Sequence, residues 1–66
     1  MSLIKHPERA AMLIAIRARL QLSQMQFSQM YGIPKPTVQG WEQGRRSISD
    51  SRWRDIVMLT GGLGGD

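Results

Sequence analysis

The side chains best suited to hydrogen bonding and anion binding lie in one short stretch, KPTVQGWEQGRR, at residues 35–46. If this stretch is helical, with a step of about 100° per residue, Val38 and Trp41 define its buried side. Arg45 and Arg46 follow the helix directly and are placed to bind anions. The opposite side and its flanks hold the remaining candidates: Lys35, Pro36, Thr37, Gln39, Gly40 and Gln43.

No set of side chains is spaced for catalysis or metal binding. The chain has no cysteine and a single histidine, His6, so a structural zinc site would have to use carboxylates. The glycine-rich GGLGG lacks the Lys-Ser/Thr that follows a phosphate-binding loop. The acids are scattered, without acid–base spacing, at Glu8, Glu42, Asp50, Asp55 and Asp66. We therefore expect no enzyme activity, no cofactor and no metal.

The charge balance favours a polyanionic partner. Nine Lys or Arg against five Asp or Glu give the 66 residues a formal net charge of +4, a bias typical of proteins that bind nucleic acid or anionic membrane surfaces. Membrane binding is disfavoured because the apolar face of the first helix is needed for the core. No apolar run approaches the roughly 18–20 residues that span a bilayer, and no secretory signal is visible. We expect a cytoplasmic protein.

Hydrophobic spacing and capping residues predict an all-α fold. Pro7 suits the first position of one helix, since its missing N–H has no partner there. Ser23 and Gln26 form a capping box at the start of the next helix, and Gly32 offers a left-handed stop. The expected helices cover about residues 7–20, 24–31, 35–43 and 50–60.

The third and fourth helices have recognisable boundaries as well. Pro34 at the N-cap and Pro36 in the first turn remove N–H groups that would have no partner within the helix. Gly44 closes the third helix, and Ser49 or Asp50 caps the fourth.

One small domain is expected over residues 1–62, followed by a flexible glycine-rich tail at 63–66. Large apolar side chains are scarce, so Val38, Trp41 and Trp53 are assigned to core packing. The methionines are expected to fill gaps in that core: Met25, Met30 and Met58.

Several residues fall at the spacing of a known motif: Ser23-Gln24, Phe27, Gly32-Ile33, Val38 and Trp41-Glu42-Gln43-Gly44. Over about residues 12–61 the chain resembles the phage repressor and Cro-like family of helix-turn-helix domains, also called the XRE family. The resemblance implies a compact, lambda-repressor-like bundle of four to five short helices. It also implies binding of operator DNA in the major groove, as a homodimer at least on DNA, by a prokaryotic or phage-encoded protein.

The resemblance further assigns roles outside the third helix. It makes Gln24 a phosphate ligand at the start of the second helix, where the helix dipole helps. It pairs Arg17 with Glu42 as an ion pair that ties the first helix to the third; the alternative is two unrelated surface charges. Arg45 and Arg46 would grip the sugar-phosphate backbone.

Base reading is expected from the outward face of the third helix. The Pro36 ring suits a thymine methyl, and Gly40 lets the backbone approach the base edges; the alternative for Gly40 is a surface glycine without a role. The family commonly has Ser or Thr at Pro34, so this departure weakens backbone phosphate binding there. Hydrogen bonds to bases are expected from Lys35, Thr37, Gln39 and Gln43.

Two function classes follow. The first is a sequence-specific, double-stranded DNA-binding transcriptional regulator that represses by occluding its operator. The alternative is an antitoxin or adaptor whose main partner is a protein, such as a toxin or another regulator. Arg52 and Arg54 either extend the basic patch or face solvent.

Overall fold

The computed structural model describes residues 6–61. Within that range the chain forms α-helices and no strand, which confirms the all-α fold class. None of these helices is long and apolar enough to cross a bilayer. The predicted tail at 63–66 lies outside the described residues. The helices are α1 (Glu8–Arg19), α2 (Gln24–Tyr31), α3 (Lys35–Glu42) and α4 (Asp50–Leu59).

Three of the helices are slightly shorter than the sequence predicts. Pro7 is the N-cap of α1 and not its first residue, so the helix begins at Glu8. At the other end, the residue after each C-cap has a positive φ, which turns the chain out of the helix. These residues are Gln21 at 58°, Gly44 at 74° and Gly61 at 71°. The helices α1, α3 and α4 therefore stop one residue early.

Short polar side chains start α2 and α4. The Ser23 hydroxyl accepts a hydrogen bond from the Gln26 N–H, and the Gln26 side chain accepts one from the Ser23 N–H, which completes a capping box. For α4 the cap is Ser49, whose hydroxyl accepts from the Arg52 N–H at 3.2 Å. Gly32, with φ of 66°, ends α2 in the left-handed region. Local backbone and capping interactions thus set both ends of α2 and the start of α4.

The core is built around α3, which packs against both α1 and α2. Two buried residues of the core, Ile33 and Ile48, lie in the connections before and after α3, outside the helices. Trp53 is half-buried and packs against the edge of the core. The buried hydrophobic residues are Leu13, Ile16, Phe27, Ile33, Val38, Trp41, Ile48 and Ile56. This packing fixes which side of α3 faces outward.

Three methionines that the sequence assigns to the core lie on the surface instead. Met25, Met30 and Met58 expose 47%, 61% and 73% of their surface. The two turns of α2 bury Phe27 completely and leave the methionines on the outer side. The core instead includes Ile33 and Ile48 from the connections on either side of α3.

Candidate nucleic-acid interface

The turn between α2 and α3 holds the two helices in a fixed relation. Gly32 turns the chain, and the buried Ile33 side chain anchors the turn in the core. The Ile33 N–H donates to the Ser28 carbonyl at 3.0 Å, and the Ser28 hydroxyl donates back to the Ile33 carbonyl. This is a helix-turn-helix unit whose second helix is α3.

Two prolines begin α3 without disturbing its hydrogen bonds. Pro34 is the N-cap, and its carbonyl accepts from the N–H groups of Thr37 at 2.9 Å and Val38 at 3.2 Å. Pro36 lies within the first turn, where a missing N–H leaves no helical carbonyl without its partner. The prolines therefore define the start of α3 and leave its later turns intact.

The outward face of α3 collects most of the residues that the sequence marks for base reading. Pro36 and Gln43 are exposed, while Gln39 is partly buried. Lys35 and Thr37 are partly buried and lie outside the depression formed on this face. That depression has a volume of about 310 Å³ and is lined by Pro36, Gln39, Gly40, Gln43, Arg45 and Arg46.

The chain after α3 folds back along the helix. Gly44 adopts its positive φ, and its N–H donates to the Trp41 carbonyl at 3.2 Å. The Gly40 carbonyl accepts from the N–H groups of Arg45 at 2.8 Å and Arg46 at 3.2 Å. This hydrogen-bonded helix end places both exposed arginines beside the outward face of α3.

Gly40 occupies a different setting from the one that the sequence predicts. It is buried, although it lies on the side of α3 away from the core. A Cβ atom at this position would lie 3.1 Å from Cδ and 3.2 Å from Cγ of Arg46. The space next to the Gly40 backbone is therefore filled by the Arg46 side chain and is not open for a base edge.

Behind this face, a charged network links α1, α2 and α3. Arg17 donates from Nε to Glu42 Oε2 at 2.8 Å and from Nη2 to Oε1 at 2.9 Å. Gln24 Nε2 donates to the same Oε1 at 3.0 Å, and Arg17 Nη1 donates to the Leu22 carbonyl at 3.0 Å. The Glu42 side chain is 5% exposed, so its carboxylate depends on the Arg17 and Gln24 donors and not on water.

The network brings together the residues that the resemblance pairs, and it adds Gln24 to them. The hydrogen bond to Glu42 and the charge of that carboxylate raise the pKa of the Arg17 guanidinium, against an opposing effect of burial. Glu42 stands at the last position of α3 and Gln24 at the first position of α2. The network consequently fixes α3 relative to both helices behind it.

A second polar cluster joins the start of α1 to the start of α4. Arg9 Nη1 donates to the Ile48 carbonyl and to Asp50 Oδ1, both at 2.9 Å, and its guanidinium lies 5.6 Å from the centre of the Trp53 ring. The hydrogen bond from Arg9 to the Asp50 carboxylate, together with the Arg9 charge, lowers the pKa of Asp50. His6 also belongs to this cluster, since its Nε2 lies 3.5 Å from Asp50 Oδ1.

The cluster escaped prediction because its members are far apart in sequence. Arg9 and Asp50 are 41 positions apart, beyond any helical spacing rule. Within residues 6–61, no group of three His, Cys, Asp or Glu side chains is arranged to hold a metal ion. Arg52 and Arg54 are exposed on α4.

A helix-turn-helix family model matches residues 13–61, a span that includes α2, the turn and α3. No match is found among curated proteins or among solved structures. The fold and its turn define a helix-turn-helix protein, and the matched span covers most of the chain. The chain belongs to the XRE-type helix-turn-helix family of DNA-binding domains. It is therefore a double-stranded DNA-binding regulator of that type.

Proposed function

We propose that this regulator is a repressor, and that α3 reads a specific operator sequence in the major groove. The observation that carries the proposal is the outward face of α3. There, amide side chains of Gln39 and Gln43 share one depression with Arg45 and Arg46. Amide groups can discriminate base edges, whereas arginines can neutralise phosphates, so this face combines the two kinds of contact that operator binding needs.

Each outward residue has a chemical preference. Gln39 and Gln43 suit adenine, Lys35 suits guanine, and the Pro36 ring suits the methyl group of thymine. Thr37 can donate or accept at either kind of base pair. Gly40 contributes to the same surface through its place in the depression.

Phosphate contacts would flank the reading face. Arg45 and Arg46 are exposed beside it, and each neutralised phosphate makes binding more sensitive to salt. Gln24 directs one amide hydrogen to Glu42, which leaves its second amide hydrogen for a phosphate at the start of α2. These contacts would set the register of α3 in the groove without reading sequence.

A homodimer on DNA is part of the proposal. An eight-residue reading helix can contact few base pairs, so two copies on half-sites about 10 bp apart, or a multiple of that, would supply the specificity. Exposed Met58 and Leu59 at the end of α4 offer apolar surface for contact between copies. Repression would then follow from occupation of the operator, which blocks access to the promoter.

Random-site selection followed by footprinting tests the proposal. We expect a palindromic consensus, which would establish sequence reading and two-fold symmetry together. Binding titrations should then show that Gln39→Ala relaxes the preference at particular base pairs. Arg45→Ala should weaken binding to all DNA about equally and flatten the salt dependence. If selection enriches no consensus, specific reading by α3 is wrong.

Repression itself needs a separate measurement. Transcription in vitro from a promoter that overlaps the selected site should fall as protein is added, whereas the same site placed well upstream should have no effect. An increase in transcription from either template would contradict repression by occlusion.

A protein-docking role, as in an antitoxin or adaptor, is the second candidate. The observation that favours it is the uncharged outer side of α2, where Met25 and Met30 are exposed. A stoichiometric partner that co-purifies with the protein and is released by Met30→Gln, combined with an absence of consensus DNA, would support this role over the first.

A further inference from the structure

The Arg46 side chain crosses the outward face of α3 at Gly40. A Cβ atom at Gly40 would lie 3.1 Å from Arg46 Cδ, 3.2 Å from Cγ and 3.5 Å from Nε. These atoms form the stem that carries the guanidinium. A Cβ atom at position 40 would require this stem to move by a few tenths of an ångström, because contacts this short to a Cβ atom are uncommon. Gly40 therefore leaves room for the Arg46 side chain, and we call this contact between Gly40 and Arg46 the seat.

The backbone also holds Arg46 at this seat. The Gly40 carbonyl accepts the Arg46 N–H at 3.2 Å and the Arg45 N–H at 2.8 Å. The positive φ of Gly44 turns the chain so that both hydrogen bonds can form. The main chain of Arg46 is thus fixed next to Gly40, which brings its side chain within reach of the outward side of α3.

The seat places Arg46 among base-reading candidates. Arg46 lines the same depression as Pro36, Gln39 and Gln43. A guanidinium carries five N–H donors in a planar fork, which matches the O6 and N7 acceptors that guanine presents in the major groove. Arg45 lines this depression as well, so what distinguishes Arg46 is the position of its stem against Gly40 on the outward side of α3.

We infer that Arg46, seated on Gly40, is a specificity-determining residue that reads guanine in the major groove. This inference rests on the proposed reading role of α3. It replaces the phosphate contact proposed above for Arg46 and leaves that of Arg45 in place. It also explains the glycine: Gly40 serves the approach of Arg46 to the helix and not the approach of DNA to the backbone.

The test compares Arg46→Ala with Arg45→Ala, since each variant removes one positive charge from the same loop. Binding is measured by fluorescence anisotropy on the site selected by the wild-type protein and on every single-base-pair substitution of that site. For Arg46→Ala we expect the preference for one G·C pair in each half-site to fall by about 5- to 150-fold. Arg45→Ala should keep the full pattern of preferences and bind every site more weakly.

Gly40→Ala separates the seat from direct contact with DNA. Alanine favours the helix more than glycine does, so the variant should stay folded, as circular dichroism would verify. We expect it to weaken the same G·C preference as Arg46→Ala, but by a smaller factor, because the Arg46 stem has to move by only a few tenths of an ångström. Added to Arg46→Ala, it should change binding less than twofold, because the residue that it displaces is already gone.

Three outcomes would overturn the inference. One is a base-preference pattern for Arg46→Ala that matches Arg45→Ala, which would make Arg46 a phosphate ligand and leave the proposed function standing. Another is an equal loss from Gly40→Ala with and without Arg46, which would mean that DNA approaches the Gly40 backbone directly. The third is a wild-type selection without any consensus, which would overturn specific reading by α3 as well.

Discussion

Removing Arg17 should destabilise the fold far more than removing other surface arginines. Its guanidinium makes two hydrogen bonds to Glu42, and the Glu42 side chain is only 5% exposed. In Arg17→Ala the carboxylate would stay in place with Gln24 as its remaining donor. Leaving a buried charge without its partner costs about 3–5 kcal/mol. Folded domains gain about 0.05–0.15 kcal/mol per residue, or about 3–10 kcal/mol for this length, so the loss is a large part of the total.

Urea denaturation followed by helical circular dichroism measures this effect, and Arg19→Ala is the matched control. Arg19 is exposed in the same helix, and its removal makes the same change in net charge. We expect Arg19→Ala to change the free energy of unfolding by no more than about 0.5 kcal/mol. An Arg17→Ala variant as stable as Arg19→Ala would refute the assignment of Arg17 as the main compensation for a buried charge.

A double replacement keeps the test informative if Arg17→Ala does not fold. Arg17→Met combined with Glu42→Leu removes both charges and keeps apolar volume between α1 and α3. Replacing a buried ion pair by packed apolar residues is often neutral or stabilising. We therefore expect the double variant to be folded, with stability close to that of the wild type, while either single change is strongly destabilising. Destabilisation by the sum of the two single effects would mean that the residues do not act as a pair.

Two further predictions concern the helix starts. Because Arg9 lowers the pKa of Asp50 below its ordinary 3.8, the ionised carboxylate stabilises the fold above that pH and stops doing so as the pH falls through its folded-state pKa. The melting temperatures of wild type and Asp50→Asn should converge on acidification below 3.8, and a gap that stays constant, or an equal one for Asp55→Asn, would contradict this. Ser23→Ala should lower the free energy of unfolding by about 1 kcal/mol in urea denaturation through loss of the capping box, whereas Ser51→Ala, exposed in α4, should not.

The helices were largely predictable because the signals that start and end them are local. Ser23 and Gln26 are three residues apart and satisfy each other's backbone. Gly32 and Gly44 both take the left-handed conformation that ends a helix. The same reasoning was misled at Gln21, where a residue with a Cβ takes a positive φ. A glutamine gives no signal for a positive φ, and the conformation of Gln21 follows from the turn that the chain makes between α1 and α2.

The composition of the core was harder to predict, because burial outside helices has no periodic signal. Ile33 and Ile48 lie in connections, and only the tertiary arrangement shows that they point inward. Once they occupy the core, Met25 and Met30 are left on the surface. Helical spacing identifies the buried side where the apolar residues share one face, but in α2 Met25 and Phe27 lie on opposite sides, so the spacing does not show which of them is buried.

The outward side of α3 follows from the helical step, whereas the path of Arg46 does not. Val38 and Trp41 mark the buried side directly, so the opposite residues could be named from the sequence. The contact between Arg46 and Gly40 depends on a backbone reversal at Gly44 and on two hydrogen bonds to one carbonyl. Those are properties of a loop conformation, which residue types restrict only weakly.

A helix with two prolines and a glycine is stable here because tertiary contacts, and not intrinsic propensity, hold it. Buried Val38 and Trp41 pack against the neighbouring helices, and Glu42 is bound by donors from α1 and α2. Gly40 alone costs about 1 kcal/mol relative to alanine in a helix, a loss that this packing can absorb. Because the contacts on the buried side of α3 supply its stability, the outward residues need not be good helix formers. If α3 reads DNA as proposed, these residues can differ with the operator sequence, and a glycine that admits an arginine from the following loop is one such choice.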